Sequence, residues 1–174
     1  MGESLIVLNG LQKNLSAPIS VVVRRATAEF FVKSWYHMPN VTVTRRLKFN
    51  AAHRVHNPAL SDEQNRTLFG KCNNPNGHGH NYTLDVSVSG EIDLITGYVM
   101  DLAKLKAIVE REVVDPVDHH NLNLDVPFMQ GIIPTAENLV VAFWRALAPA
   151  VSPAHLTRIV LWETDNNYVE YAGD

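Results

Sequence analysis

The sequence predicts an α+β domain: a four-stranded antiparallel sheet with two helices on one face, in the order strand, strand, helix, helix, strand, strand. Two long stretches, near 41–51 and 82–89, alternate apolar and polar residues. Two others, near 102–113 and 139–147, repeat apolar residues at helical spacing, and two short apolar segments flank a turn near the C-terminus.

The first strand sets Val41, Val43, Leu47, Phe49 and Ala51 on one face and Thr42, Thr44, Arg46, Lys48 and Asn50 on the other, with Arg45 the one exception. Residues 54–77 then carry Asn57-Pro58, Ser61-Asp62, Asn73-Asn74-Pro75 and Asn76-Gly77, turn formers dense enough to predict a long functional loop. The second strand sets Tyr82, Leu84, Val86 and Val88 against Thr83, Asp85, Ser87 and Ser89 and ends at Gly90, so the two strands are expected to pair as a wide antiparallel hairpin. Asp101 is placed to cap a helix with the stripe Leu102, Leu105, Ile108, Val109 and Val113, which Pro116 stops. A second helix starts after Thr135, its stripe Leu139, Val140, Phe143, Trp144 and Leu147 being a plain core face, and Pro149 and Pro153 end it. Closing strands at 156–164 and 168–171 flank Asp165-Asn166-Asn167.

At 174 residues and 19.4 kDa, with 46% hydrophobic and 19% charged residues, the chain fits one domain. Fifteen Lys and Arg against 18 Asp and Glu leave no basic surplus for a phosphate backbone, which argues against a nucleic-acid role. Lys13, Arg24 and Arg25 interrupt or bound the most apolar part, Leu5 to Val23, so no membrane span is expected. The single cysteine, Cys72, cannot form an internal disulfide, which makes a reducing cytoplasm the default location.

Residues 1–38 differ in character and are read as an extension to a single domain at 39–174. A secretory signal fits poorly, because Glu3 rather than a basic region precedes the first apolar patch. An organelle transit peptide, suggested by Arg24, Arg25 and few acids, stays open, as does a start at Met38.

His37, His56 and His155 stand alone and are expected to be plain exposed residues, whereas His53, His78, His80, His119 and His120 fall in dense polar stretches. His78 and His80 flank Gly79 and share a face, roughly 7 Å apart in an extended chain. His53 is in register with Phe49 and Ala51, so pairing of the strands brings three neutral imidazoles together, the ligand set of a catalytic zinc with an open position. Cys72, six positions before His78, permits two readings: the fourth ligand of a closed structural zinc, or a thiolate acting as base beside a metal. Asp118-His119 is the minimum needed to hold an imidazole in one tautomer for proton transfer. Glu163, in register with Ile159 and Leu161, is either a structural acceptor or an anchor for a ligand rich in N–H donors, such as a pterin or guanine edge.

Together, Phe49-Asn50-Ala51-Ala52-His53-Arg54, the run from Phe69 through Cys72 and Gly77-His78-Gly79-His80 to Tyr82, Asp118-His119, and Trp162-Glu163-Thr164-Asp165-Asn166-Asn167 resemble the 6-pyruvoyl tetrahydropterin synthase family from about Val41 onward. The resemblance implies the tunnelling fold, with trimeric barrels stacked as hexamers and active sites between subunits. It implies Zn2+ on His53, His78 and His80, Cys72 as general base with Asp118 and His119 as its relay, and Glu163 gripping the pterin, with Thr135 and Glu137 as secondary candidates. The implied reaction removes triphosphate from 7,8-dihydroneopterin triphosphate and rearranges the side chain, through enols and without nicotinamide, to 6-pyruvoyl tetrahydropterin. The related 6-carboxytetrahydropterin synthases of queuosine biosynthesis usually place the cysteine closer to the first motif histidine, whereas five residues separate Cys72 from His78, which favours the biopterin branch. Ala136 stands where some members carry a second threonine. A noncatalytic zinc or pterin-binding module is the reading from another class; it requires Cys72→Ala to lose zinc and stability together. Arg45, Arg46 and Lys71 are candidates for the triphosphate.

Overall fold

The computed structural model describes residues 39–173; the extension read at 1–38, His37 included, lies outside them. Strand β1 (Asn40–His53) leads through helix α1 (Asp62–Phe69) and a tight turn at Gly70–Asn73 into β2 (His78–Glu91). Next come α2 (Leu102–Val109), a wide helical turn at Glu110–Val114, α3 (Asp115–Val117), β3 (His120–Asn121), α4 (Ala136–Leu147), β4 (His155–Trp162) and β5 (Tyr168–Tyr171). The sheet order is β3-β1-β2-β4-β5, and every pairing except β1 with β3 is antiparallel.

The alternation sorts the two faces of the sheet as expected. Leu47, Phe49, Tyr82, Leu84, Val86, Ile159 and Leu161 are buried under Leu105, Ile108 and Val109 of α2 and Leu139, Val140, Phe143 and Leu147 of α4. Each such side chain contributes roughly 1.5–3 kcal/mol by leaving water. Phe49 stacks on Tyr82 at 4.9 Å and meets Phe143 edge-on at 6.0 Å, which ties the hairpin to α4. On the other face, opposed residues pair by polarity: Arg46 donates twice to Asp85, at 2.6 and 2.7 Å, and the Thr44 and Ser87 hydroxyls lie 2.8 Å apart. No helix among the described residues is long and apolar enough to cross a membrane.

The structure departs from the sequence reading in four places. The loop at 54–77 contains α1, started by a capping box in which the Ser61 hydroxyl accepts from Gln64 N–H and the Gln64 carboxamide oxygen accepts from Ser61 N–H. A fifth strand, β3, adds two residues parallel to β1. Helical backbone continues past Val113 through Pro116, the widened turn preceding a proline that cannot donate. Strand β4 stops at Trp162 rather than 164.

Candidate active site and metal centre

The last rung of the β1–β2 ladder sets His53 opposite His78, and His80 is two residues farther along on the same face. His53 is 1% exposed, and its Nδ1–H donates to the Pro134 carbonyl at 2.7 Å, which leaves a lone pair on Nε2. That Nε2 faces His78 Nε2 at 3.1 Å. One nitrogen from each of His53, His78 and His80 falls within a group spanning no more than 4.8 Å. Zn–N bonds of about 2.0–2.1 Å set tetrahedral ligand atoms roughly 3.3 Å apart, so the cluster fits one ion with little adjustment. Burial holds the His53 and His80 pKa values below the usual imidazole range and so favours the neutral, metal-binding form. His78 Nδ1 is buried without a hydrogen-bond partner among the described residues, so no such bond to that nitrogen accounts for this ring.

Two glycines let β2 approach so closely. Gly77 has φ of 72°, and a Cβ there would lie 3.1 Å from the His53 carbonyl oxygen; one at Gly79 would lie 3.0 Å from that of Ala51.

Glu163 follows β4 in the inward register of Ile159 and Leu161, and its N–H donates to Asn167 O at 3.0 Å. Its Oε1 lies 3.6 Å from His80 Nε2 and 3.8 Å from His53 Nε2. His53, Glu163, Cys72, Thr135 and Glu137 line one cavity of about 450 Å³. Thr135 caps α4, its hydroxyl accepting from Asn138 N–H, and Glu137 is in the first turn. Cys72 is exposed, and its carbonyl accepts from Val55 N–H at 2.9 Å. Beneath the cluster Tyr82 is fully buried, its hydroxyl unpartnered among the described residues; burial and the charge of Glu163 raise its pKa.

Asp118 and His119 sit elsewhere. Asn50 N–H donates to Asp118 Oδ1 at 2.8 Å, Asn50 O accepts from His119 N–H at 2.7 Å, and Asp118 Oδ2 lies 3.0 Å from His119 Nδ1. This holds His119 at φ of 61°, unusual for a residue with a side chain, and sets its Nε2 3.5 Å from the Asn50 carboxamide nitrogen. The Asn50 N–H, with His119 adding to it, lowers the Asp118 pKa. His119 lines a different cavity, of about 560 Å³, with His80, Asn50, Asn81, Asn121 and Asp125.

Of the proposed triphosphate contacts, Arg46 is held by Asp85, Arg45 has a buried Nε without a partner among the described residues, and Lys71 is exposed beside Cys72. His56, expected to be plainly exposed, is half-buried with Nδ1 3.0 Å from Asn73 Oδ1, a correction that pairing of distant chain segments explains. The Pro134 carbonyl and the Asn50 backbone were missed because a backbone group leaves no mark in the residue pattern.

A three-imidazole cluster that could hold an ion, with a carboxylate beside it and a thiol on the cavity that His53 lines, defines the site of a small-molecule enzyme. Residues 42–174 match the family model described as 6-pyruvoyl tetrahydropterin synthase. The chain is 49% identical over 132 residues to the human 6-pyruvoyl tetrahydrobiopterin synthase, covering 76% of this chain and 91% of that one. It resembles the solved Caenorhabditis elegans 6-pyruvoyl tetrahydropterin synthase with a TM-score of 0.76 and 44% identity, over 80% of this chain and 99% of that one. It is also 42% identical over 96 residues to the dihydroneopterin monophosphate aldolase of Pyrococcus furiosus, covering 53% of this chain and 75% of the other. The chain belongs to the 6-pyruvoyl tetrahydropterin synthase family.

Proposed function

We propose that this chain is a zinc-dependent lyase that converts 7,8-dihydroneopterin triphosphate to 6-pyruvoyl tetrahydropterin with loss of triphosphate. The observation that carries this reading is the junction, in a chain of this family, of the three-histidine cluster with Glu163, whose Oε1 lies 3.6 Å from His80 Nε2 and 3.8 Å from His53 Nε2, beside a cavity that His53, Glu163 and Cys72 line together. His53, His78 and His80 would hold the ion, which when bound supplies Lewis-acid polarisation of a substrate oxygen. The Cys72 thiolate takes a carbon-bound proton from the side chain, and Glu163 accepts hydrogen bonds from the N–H edge of the pterin. Thr135 and Glu137 border the same ring. His119, its Nδ1 held by ionised Asp118, returns protons through Nε2.

Because Cys72 and His119 line different cavities, the reading has the relay pair come from a second copy, as in a hexamer of stacked trimers with sites between subunits. A thiol that must stay reduced supports a cytoplasmic location as part of this reading.

The test is product identification with zinc-loaded protein and 7,8-dihydroneopterin triphosphate. Triphosphate release with a 6-pyruvoyl product is expected. Acetaldehyde with a 6-carboxy product, or a pterin shortened by aldol cleavage, overturns the assignment in favour of another reaction on this scaffold. No turnover from a zinc-bound, assembled oligomer leaves a binding module.

A further inference from the structure

The segment following β1 divides its side chains between two tasks. His53 and Val55 line the cavity that holds Cys72, while Arg54 and His56, at alternate positions, both reach Asn73, the residue after Cys72. Asn73 is 5% exposed in a stretch that is otherwise open to solvent. Arg54 Nε–H donates to Asn73 Oδ1 at 2.9 Å and to Asn73 O at 3.2 Å. Since Nε of arginine can only donate, the atom it faces is the carboxamide oxygen, and His56 Nδ1, 3.0 Å from that oxygen, must carry a proton to complete the second bond. Arg54 is held in turn, its N–H donating to Asn123 Oδ1 at 2.7 Å and its carbonyl accepting from Asn123 Nδ2 at 2.9 Å. The Val55 N–H to Cys72 O bond sits between the two side-chain contacts.

We propose that Asn73, clamped by Arg54 and His56, is the positioning residue that sets the Cys72 thiol relative to the three-histidine cluster. The clamp acts on the thiol through the chain: the segment that carries His53 also fixes both partners of Asn73, so the base and the cluster share one rigid reference. A displacement of about 1 Å at a reacting group costs on the order of 100-fold in rate, enough to explain a buried carboxamide with two donors in an exposed turn. This inference rests on Cys72 being the base of the proposed reaction.

The experiment compares Asn73→Leu, which keeps the branched shape and removes the acceptor, with Asn73→Asp, which keeps the acceptor, and with Cys72→Ala, in zinc-loaded oligomer. Asn73→Leu is expected to lose about 100-fold in kcat with KM changed less than about threefold, zinc content unchanged and a slower or faster Cys72 alkylation rate; Asn73→Asp is expected to restore kcat to within about fivefold. Wild-type kcat in folded Asn73→Leu overturns the clamp and leaves the enzyme reading intact, provided Cys72→Ala is inactive. Wild-type turnover by Cys72→Ala overturns the base assignment and the clamp with it. A kcat loss that tracks zinc loss, or that Asn73→Asp does not restore, makes the role purely structural and overturns the proposal. Should Asn73→Leu not fold, His56→Ala and Arg54→Lys decide: a lower kcat at unchanged zinc content supports the clamp, and wild-type kcat in both overturns it.

Discussion

The three-histidine cavity and the Asp118–His119 edge are built by opposite means. At the cluster, the three histidines hang on regular structure, with His53 ending β1 and His78 and His80 beginning β2, and Glu163 directly follows β4. At the edge, a turn residue at φ of 61° and its neighbour are held mainly by the backbone of Asn50. The cavity is sheltered, with His53 at 1% exposure, while His119 is exposed. A group that must gather an ion is better served by a rigid, partly dry frame, and one that must exchange protons by an open surface. The lesson is that one chain carries two half-sites, with Cys72 on one cavity and His119 on another.

Breaking either half tests that reading most strongly. Cys72→Ala and His119→Ala are each expected to lower turnover by about 10²–10⁴-fold with zinc content unchanged. When the two inactive variants are dissociated and reassembled together, about one site in four acquires an intact cysteine and an intact histidine from different copies, so activity should return toward a quarter of wild type. Failure to recover activity in verified mixed oligomers would place both groups of each site on one chain.

The approach of the two strands is the next point to strain. Gly77→Ala forces a side chain into the left-handed region and against the His53 carbonyl, with an expected cost of about 1–2 kcal/mol and weaker zinc binding. The same substitution at Gly131, where φ is 75° but nothing lies within 4 Å, should cost similar stability and leave zinc affinity alone. Urea midpoints with zinc titration separate the two, and equal zinc affinity in both variants would show that Gly77 serves only the turn.

How much of this was legible depended on where each piece is encoded. The inward register of Phe49, Ala51 and His53, and of His78, His80 and Tyr82, follows from a two-residue period, so alternation alone aligned the three histidines. The helix at Asp62–Phe69 was hidden because its residues are mostly polar; its signal was the spacing of Ser61 and Gln64 rather than an apolar stripe. The fifth strand is two residues long, too short for any period to show, and the separation of Cys72 from His119 is a property of the folded chain that no spacing reports. The partners of Asn73 come from 17 and 19 residues away along the sequence, beyond any local pattern.

The gentlest probe is acid, because the two regions should respond in different windows. Burial lowers the His53 and His80 pKa values in the folded state from the ordinary 6.5, so once the pH falls below about 6.5 the unfolded chain binds protons that the folded chain resists. Stability contributed by keeping these imidazoles neutral is therefore whole above that value and declines below it. At the edge, the Asn50 N–H lowers the Asp118 pKa from 3.8, so stability there is whole above 3.8 and is lost only as the pH falls through the folded value. For metal-free protein, the urea midpoint is expected to drop between pH 7 and 5, and His80→Gln should flatten that drop without changing the loss below pH 4; Asp118→Asn should do the reverse. A flat midpoint from pH 7 to 5 would mean that the folded and unfolded chains bind the same number of protons there, and that the sheltered frame does not hold its histidines neutral.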